Sequence, residues 1–121
     1  LEAVRRALTS KTKAIMPVHL YGQMADMKGL AQLARTHKVY LIEDAAHALE
    51  AQRDGIRPGE LSDAVAFSFY ATKNITSGEG GAVCTKNKDL HEKMRLLRQH
   101  GMSKSAAERY HGTYQHWDML D

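Results

Sequence analysis

Residues Phe67 to Gly81 read FSFYATKNITSGEGG, and they break the chain more sharply than any other stretch. A run of β-formers, Ala64 to Phe69, leads to one lysine, Lys73. A polar, glycine-rich turn follows through Thr76, Ser77, Gly78, Glu79, Gly80 and Gly81, and a second apolar run, Ala82 to Cys84, leaves it. The pattern predicts two strands with Lys73 on the connection between them. Lysine is flexible and strongly hydrated, so a solvated face suits it better than this position. In a desolvated cleft its ammonium is disfavoured and the free amine becomes a nucleophile toward carbonyls. A plain loop lysine beside a hairpin fits the same letters, and on this stretch alone both readings stand.

Upstream, Val39 to Ile42 is a short continuous apolar run of β-formers, the pattern of a strand buried on both faces, and it ends in Glu43 and Asp44. Before it, Asp26 is placed as a helix N-cap, and Met27, Leu30, Ala31, Leu33 and Ala34 repeat with helical spacing up to about His37. Leu1 to Leu8 carries one apolar helix face. Ala14 to Leu20 is a strand candidate that Pro17 bends or demotes, and Tyr21, Gly22 and Gln23 form a loop. Ala45 to Ala51 reads as a short helical turn, and Arg53 to Ser62, with Gly55, Pro58 and Gly59, as a loop or small hairpin. Downstream, Gly81 to Thr85 is a strand and Asn87 to His100 a helix with Leu90, Met94 and Leu97 on one face and Gly101 at its C-terminal end. Ser103 to Asp121 is polar and poorly patterned. This order favours α/β layers, a mainly parallel sheet covered by helices. In such sheets ligands sit off the carboxyl ends of the strands, where Asp44 and Lys73 both fall.

The chain has 121 residues, 43% hydrophobic and 26% charged, the composition of a folded domain or part of one rather than a disordered segment. No apolar run is long enough to span a membrane, and no signal peptide is visible. A single cysteine, Cys84, excludes an internal disulfide and suits a reducing cytoplasm; within its apolar run it reads as a small core residue. The net charge of +3 comes mostly from Lys86 to Lys104, where basic residues punctuate a helical pattern without interleaved aromatics. That favours a solvated helix face over a nucleic-acid surface. The seven histidines are scattered, without metal-ligand spacing, and no Gly-Lys-Ser/Thr follows the glycines of the 78–81 turn.

Asp44 follows an apolar strand directly, where a carboxylate is costly unless partnered. It can cap the turn that begins AAHAL, or act as counter-ion to a buried cation. His47, three residues on, shares a helical face with it. Ser68 and Lys73 flank the other strand end, where a lone serine is more often simply packed. Together, a lysine, a strand-end aspartate and a nearby hydroxyl match what pyridoxal 5'-phosphate requires. The amine joins its aldehyde carbon, the carboxylate keeps the ring nitrogen protonated, and hydroxyl and backbone N–H groups hold the phosphate.

The stretches PVHLYGQ, LIEDAAHALEA and FSFYATKNITSGEGGAV resemble the nucleotide-sugar aminotransferases of the DegT/DnrJ/StrS type, which are fold-type I enzymes dependent on pyridoxal phosphate, and the resemblance runs from about Leu1 to Asp121. It implies a three-layer αβα large domain like that of aspartate aminotransferase, present only in part. Residues 1–121 would be its central piece, both ends looking cut, with an N-terminal segment and a smaller C-terminal domain outside them. By position, Lys73 matches the lysine that carries the cofactor and shuttles a proton. Asp44 matches the partner of the pyridinium nitrogen, Ala46 the small residue against the ring face, and Ser68 a phosphate-binding hydroxyl. His47 matches the residue that hydrogen-bonds the phenolic oxygen; many relatives carry glutamine there, so its protonation state stays open. No metal is implied.

The resemblance further implies transfer of an amino group from an amino acid, commonly glutamate, to a keto-sugar nucleotide, as in amino-sugar, lipopolysaccharide or antibiotic-sugar biosynthesis. A homodimeric, cytoplasmic protein is expected, with no nucleic-acid or membrane partner and with activity requiring the full-length chain. Relatives that dehydrate sugars replace this lysine with histidine, and Lys73 argues against that branch. The alternatives are a non-catalytic relative or scaffold, which retention of Lys73 and Asp44 opposes, and more remotely a basic nucleic-acid-binding module.

Overall fold

A computed structural model of the chain describes residues 1–99 and Gly101. The chain divides into two compact units, Leu1–Lys86 and Asn87–Asp121. In the first, the elements run α1 (Glu2–Ala7), β1 (Ala14–Ile15), a tight turn (Leu20–Gly22) with Tyr21 and Gly22 at positive φ, α2 (Met27–His37), β2 (Tyr40–Asp44), β3 (Ala64–Ser68) and β4 (Gly81–Cys84). The second contains α3 (Lys88–Leu97).

The four strands form one mixed sheet in the order β1-β2-β3-β4. β1 and β2 are parallel, β2 and β3 are parallel, and β4 returns antiparallel to β3. The α/β reading therefore holds, with two parallel pairings and one hairpin. β1 is much shorter than the 14–20 run predicted. Pro17 has no N–H for a ladder, and after Ile15 only Val18 makes an isolated bridge, to Asp44.

Helix α2 forms where its periodicity places it. Asp26 Oδ1 accepts the Gly29 N–H at 3.0 Å, which satisfies one of the donors left over at a helix start. Met27, Leu30, Ala31, Leu33 and Ala34 are buried, and they pack with Leu41 of β2 and Ile15 of β1 into the main core. Val4 and Leu8 of the α1 segment rest on the same cluster. The opposite face of β2 and β3, carrying Ile42, Asp44, Ala66 and Ser68, is only half-buried.

Two further expectations change. Cys84 is exposed rather than part of the core, on a strand that among the described residues pairs with β3 alone. Ala45 to Ala51 makes two successive tight turns, Ala48 N–H to Ala45 O at 3.0 Å and Ala51 N–H to Ala48 O at 3.2 Å, rather than one helical turn. In the second unit Asn87 caps α3 through the Leu90 N–H at 3.0 Å and Gly101, at φ 73°, bonds back to Leu96 O. Leu97, however, is exposed. His100 and the 103–121 tail lie outside the described residues.

Candidate active site

The site is built by two parallel strands that end side by side. Asp44 is in register with Ala66, and side chains alternate along a strand, so Asp44, Ala66 and Ser68 share one face of the sheet. Glu43, one residue earlier, points to the other face and is fully buried. Past Ser68 the chain closes a loop. Phe69 N–H reaches Gly80 O at 2.8 Å, and Phe69 O accepts both the Ser77 N–H and the Thr76 hydroxyl at 3.0 Å. Gly80 sits at φ 152°, and a Cβ there would stand 2.6 Å from Ser77 Oγ, so the turn needs glycine. Inside this loop a tight turn, Lys73 N–H to Tyr70 O at 3.0 Å, presents Lys73 half-buried.

Ala46, His47, Ser68, Lys73 and Asn74 line one small cleft. Asp44 does not line it. It connects through Ala46, whose N–H Asp44 Oδ1 accepts at 3.0 Å. The cap and counter-ion readings are therefore compatible: one oxygen organises the turn, and the other has no hydrogen-bond partner among the described residues. Ser68 Oγ accepts the Tyr70 N–H at 3.4 Å, which leaves its own proton to donate. His47 Nδ1 accepts the Tyr21 N–H at 3.3 Å. Lys73 makes no ion pair among the described residues.

Three features escape a linear reading. Under the strand end, His19 Nε2 donates to Glu43 Oε2 at 2.7 Å, with both side chains fully buried. Glu43 Oε1 accepts the Gly59 N–H at 2.8 Å, and His19 Nδ1 accepts the Ala25 N–H at 3.3 Å. The clue was the carboxylate at position 43, two residues after buried Leu41 on the same strand face. At the cleft mouth the Asn74 amide donates to Glu50. That bond, with Glu50's own backbone N–H, holds its carboxyl below the usual carboxylate range against a small opposing desolvation. Third, the Tyr21 ring stacks on His47, centroids 5.6 Å apart and 15° between planes.

The donor set fits pyridoxal phosphate in kind: an amine, a carboxylate with an uncommitted oxygen, an imidazole and a hydroxyl with a proton to give. A wider cavity of about 430 Å³ lies at the amino end of β2, among Lys38, Tyr40, Ser62 and Asp63; it has no imidazole and lies away from the carboxyl ends of the strands, where ligands bind such sheets.

Residues 1–117 match the DegT/DnrJ/EryC1/StrS aminotransferase family, and the chain belongs to it. It is 53% identical over 95 residues to the GDP-perosamine synthase of Caulobacter vibrioides, covering 78% of this chain and 26% of that protein. It is 49% identical over 102 residues to the dTDP-3-amino-3,4,6-trideoxy-alpha-D-glucose transaminase of Micromonospora megalomicea, covering 84% of this chain and 27% of that protein. Among solved structures, Helicobacter pylori PseC, an aminotransferase involved in the biosynthesis of pseudoaminic acid, superposes with a TM-score of 0.83 at 33% identity, covering 98% of this chain and 30% of PseC. S. venezuelae DesV superposes at 0.79 with 45% identity, covering 85% and 28%. The chain thus spans under a third of the length of these relatives.

Proposed function

We propose that the protein containing these residues is a pyridoxal phosphate-dependent aminotransferase that moves an amino group from an amino acid, glutamate first, to a keto-sugar nucleotide. The observation that carries it is the convergence of His47, Ser68 and Lys73 on one cleft beside Asp44, in a chain that belongs to an aminotransferase family. Relatives named for nucleotide-sugar products support the substrate class. When bound, pyridoxal phosphate supplies an aldehyde carbon and an electron-withdrawing ring. Lys73 would hold it through Nζ and, once displaced by the donor amine, accept and return the proton as a neutral base. Asp44 would keep the ring nitrogen protonated, His47 would meet the ring oxygen, Ser68 would donate to the phosphate and Ala46 would leave room for the ring face. Residues 1–121 would be the central part of the cofactor-binding domain, in a cytoplasmic homodimer. The reading of a single cysteine as a sign of a reducing compartment supports the location, and the family resemblance supports the dimer.

The test is borohydride reduction of the full-length protein with pyridoxal phosphate, followed by peptide mapping. One pyridoxyl group on Lys73 is expected, and its absence overturns the proposal. Lys73→Ala should lower turnover by about 10²–10⁴-fold, the share that positioned proton transfer supplies. Asp44→Asn keeps an acceptor for Ala46 but loses the charge, so it should release cofactor on dialysis while remaining folded.

A further inference from the structure

The turn that carries Tyr21 is held in a conformation its own side chain does not explain. Tyr21 is a bulky residue at φ 52° and ψ 32°, the left-handed region that such residues rarely occupy. Its side chain is 82% exposed, so burial does not hold it there. The turn is anchored from below. His19 N–H donates to Asp44 O at 3.0 Å, Asp44 N–H to Pro17 O at 2.9 Å, and the His19 ring to Glu43. What the left-handed residue achieves is contact with His47: its N–H meets Nδ1 and its ring lies against the imidazole. Strained backbone of this kind persists only where the surroundings over-determine it, and it gathers at functional sites.

A backbone N–H can only donate, so His47 Nδ1 must present its lone pair. The single proton of the neutral ring is then on Nε2. An imidazolium, or the other tautomer, would set N–H against N–H. His47 lines the cleft, whereas Tyr21 is not part of its lining. We infer that Tyr21 is a positioning residue: its N–H and ring hold His47 as the neutral Nε2–H tautomer in a fixed plane, so that residue 47 serves the cleft as a hydrogen-bond donor to an oxygen of the bound ligand. The inference rests on the proposed function only for the identity of that oxygen, the ring oxygen of pyridoxal phosphate.

The tautomer is read directly by two-bond ¹⁵N–¹H correlation spectra of ¹⁵N-histidine-labelled full-length protein without added pyridoxal phosphate. His47 is assigned as the signal set missing from His47→Gln. A pyridine-type Nδ1 and a protonated Nε2 are expected; an Nδ1–H ring or an even mixture overturns the inference. Tyr21→Phe, which keeps N–H and ring, should leave the pattern unchanged. Tyr21→Pro, which lacks the N–H and cannot adopt φ 52°, breaks the contact with His47 and should move the tautomer ratio by about two- to tenfold, the bias one net hydrogen bond supplies. The buried His19 signals report whether the loop survives that change. If they persist and His47 still shows its original ratio, Tyr21 does not set the tautomer. If they are lost, the wild-type spectrum decides. A missing adduct at Lys73 would sink the proposed function and leave this result standing.

Discussion

Glu43 accepts on both oxygens, from His19 Nε2–H at 2.7 Å and Gly59 N–H at 2.8 Å, with no solvent to substitute for either. His19 cannot reverse its tautomer, because Nδ1 already takes the Ala25 N–H. A glutamine at 43 would therefore turn an NH₂ toward one of two donors. Glu43→Gln should destabilise the protein by about 1–3 kcal/mol, the cost of a buried polar group left unmatched. Thermal unfolding of the full-length protein measures it, and an unchanged Tm would mean that one donor has another acceptor. Gly59 cannot easily be replaced either, since it sits at φ 87° with Val65 Cγ1 2.8 Å from where a Cβ would stand. At the surface, Glu50 behaves differently. The Asn74 amide stabilises its charged form, so the folded carboxyl lies below its ordinary value. Such a group contributes above that ordinary value, and the contribution is lost as pH falls through the folded one. The tie between the loops after β2 and β3 should thus be intact at neutral pH and weaken in acid. Glu50→Gln should remove that part of the acid sensitivity, as amide exchange at Asn74 would show. Both carboxylates stood in plain view in the sequence; their side-chain partners, His19 and Asn74, each 24 residues away, did not.

Among the elements, α2 was fully legible. Its buried positions are those of the 3.6-residue repeat, and its cap is the residue before the first apolar one. Asp26→Ala should cost about 1 kcal/mol, the usual value of an N-cap, and the full-length protein's thermal unfolding would register it. No change would mean that the Gly29 N–H finds water instead. β2 and β3 were legible as well, to within a residue or two at each end. The stretch from Met16 to Leu20 was not. Its apolar letters suggest strand, but Met16, Val18 and Leu20 are all exposed. Its form is dictated by backbone bonds to Asp44 and by the buried His19 ring on Glu43 rather than by burial of its apolar side chains.

At the scale of the molecule, β4 is paired on one side only among the described residues, and Val83 on it is 54% exposed. An open, apolar strand edge is a template for another chain, and charge on the edge is a common remedy. The 121-residue chain alone should therefore self-associate with rising concentration in sedimentation velocity, and Val83→Lys should reduce that association. Equal behaviour of the two would place the contact elsewhere. The sequence by itself determined the α/β class, the family, helix α2 and the strand ends at which Asp44, Ser68 and Lys73 lie. Those features are written in local periodicity, turn chemistry and short motifs, all of which act over a few residues. Only the tertiary structure decided that Asp44 and Ser68 share a sheet face, that His19 and Glu43 close a buried pair, and that the Tyr21 N–H reaches His47. Each depends on strand register and loop closure between distant segments, and hydrogen-bond partners chosen across 24 or 26 residues leave no period in the chain.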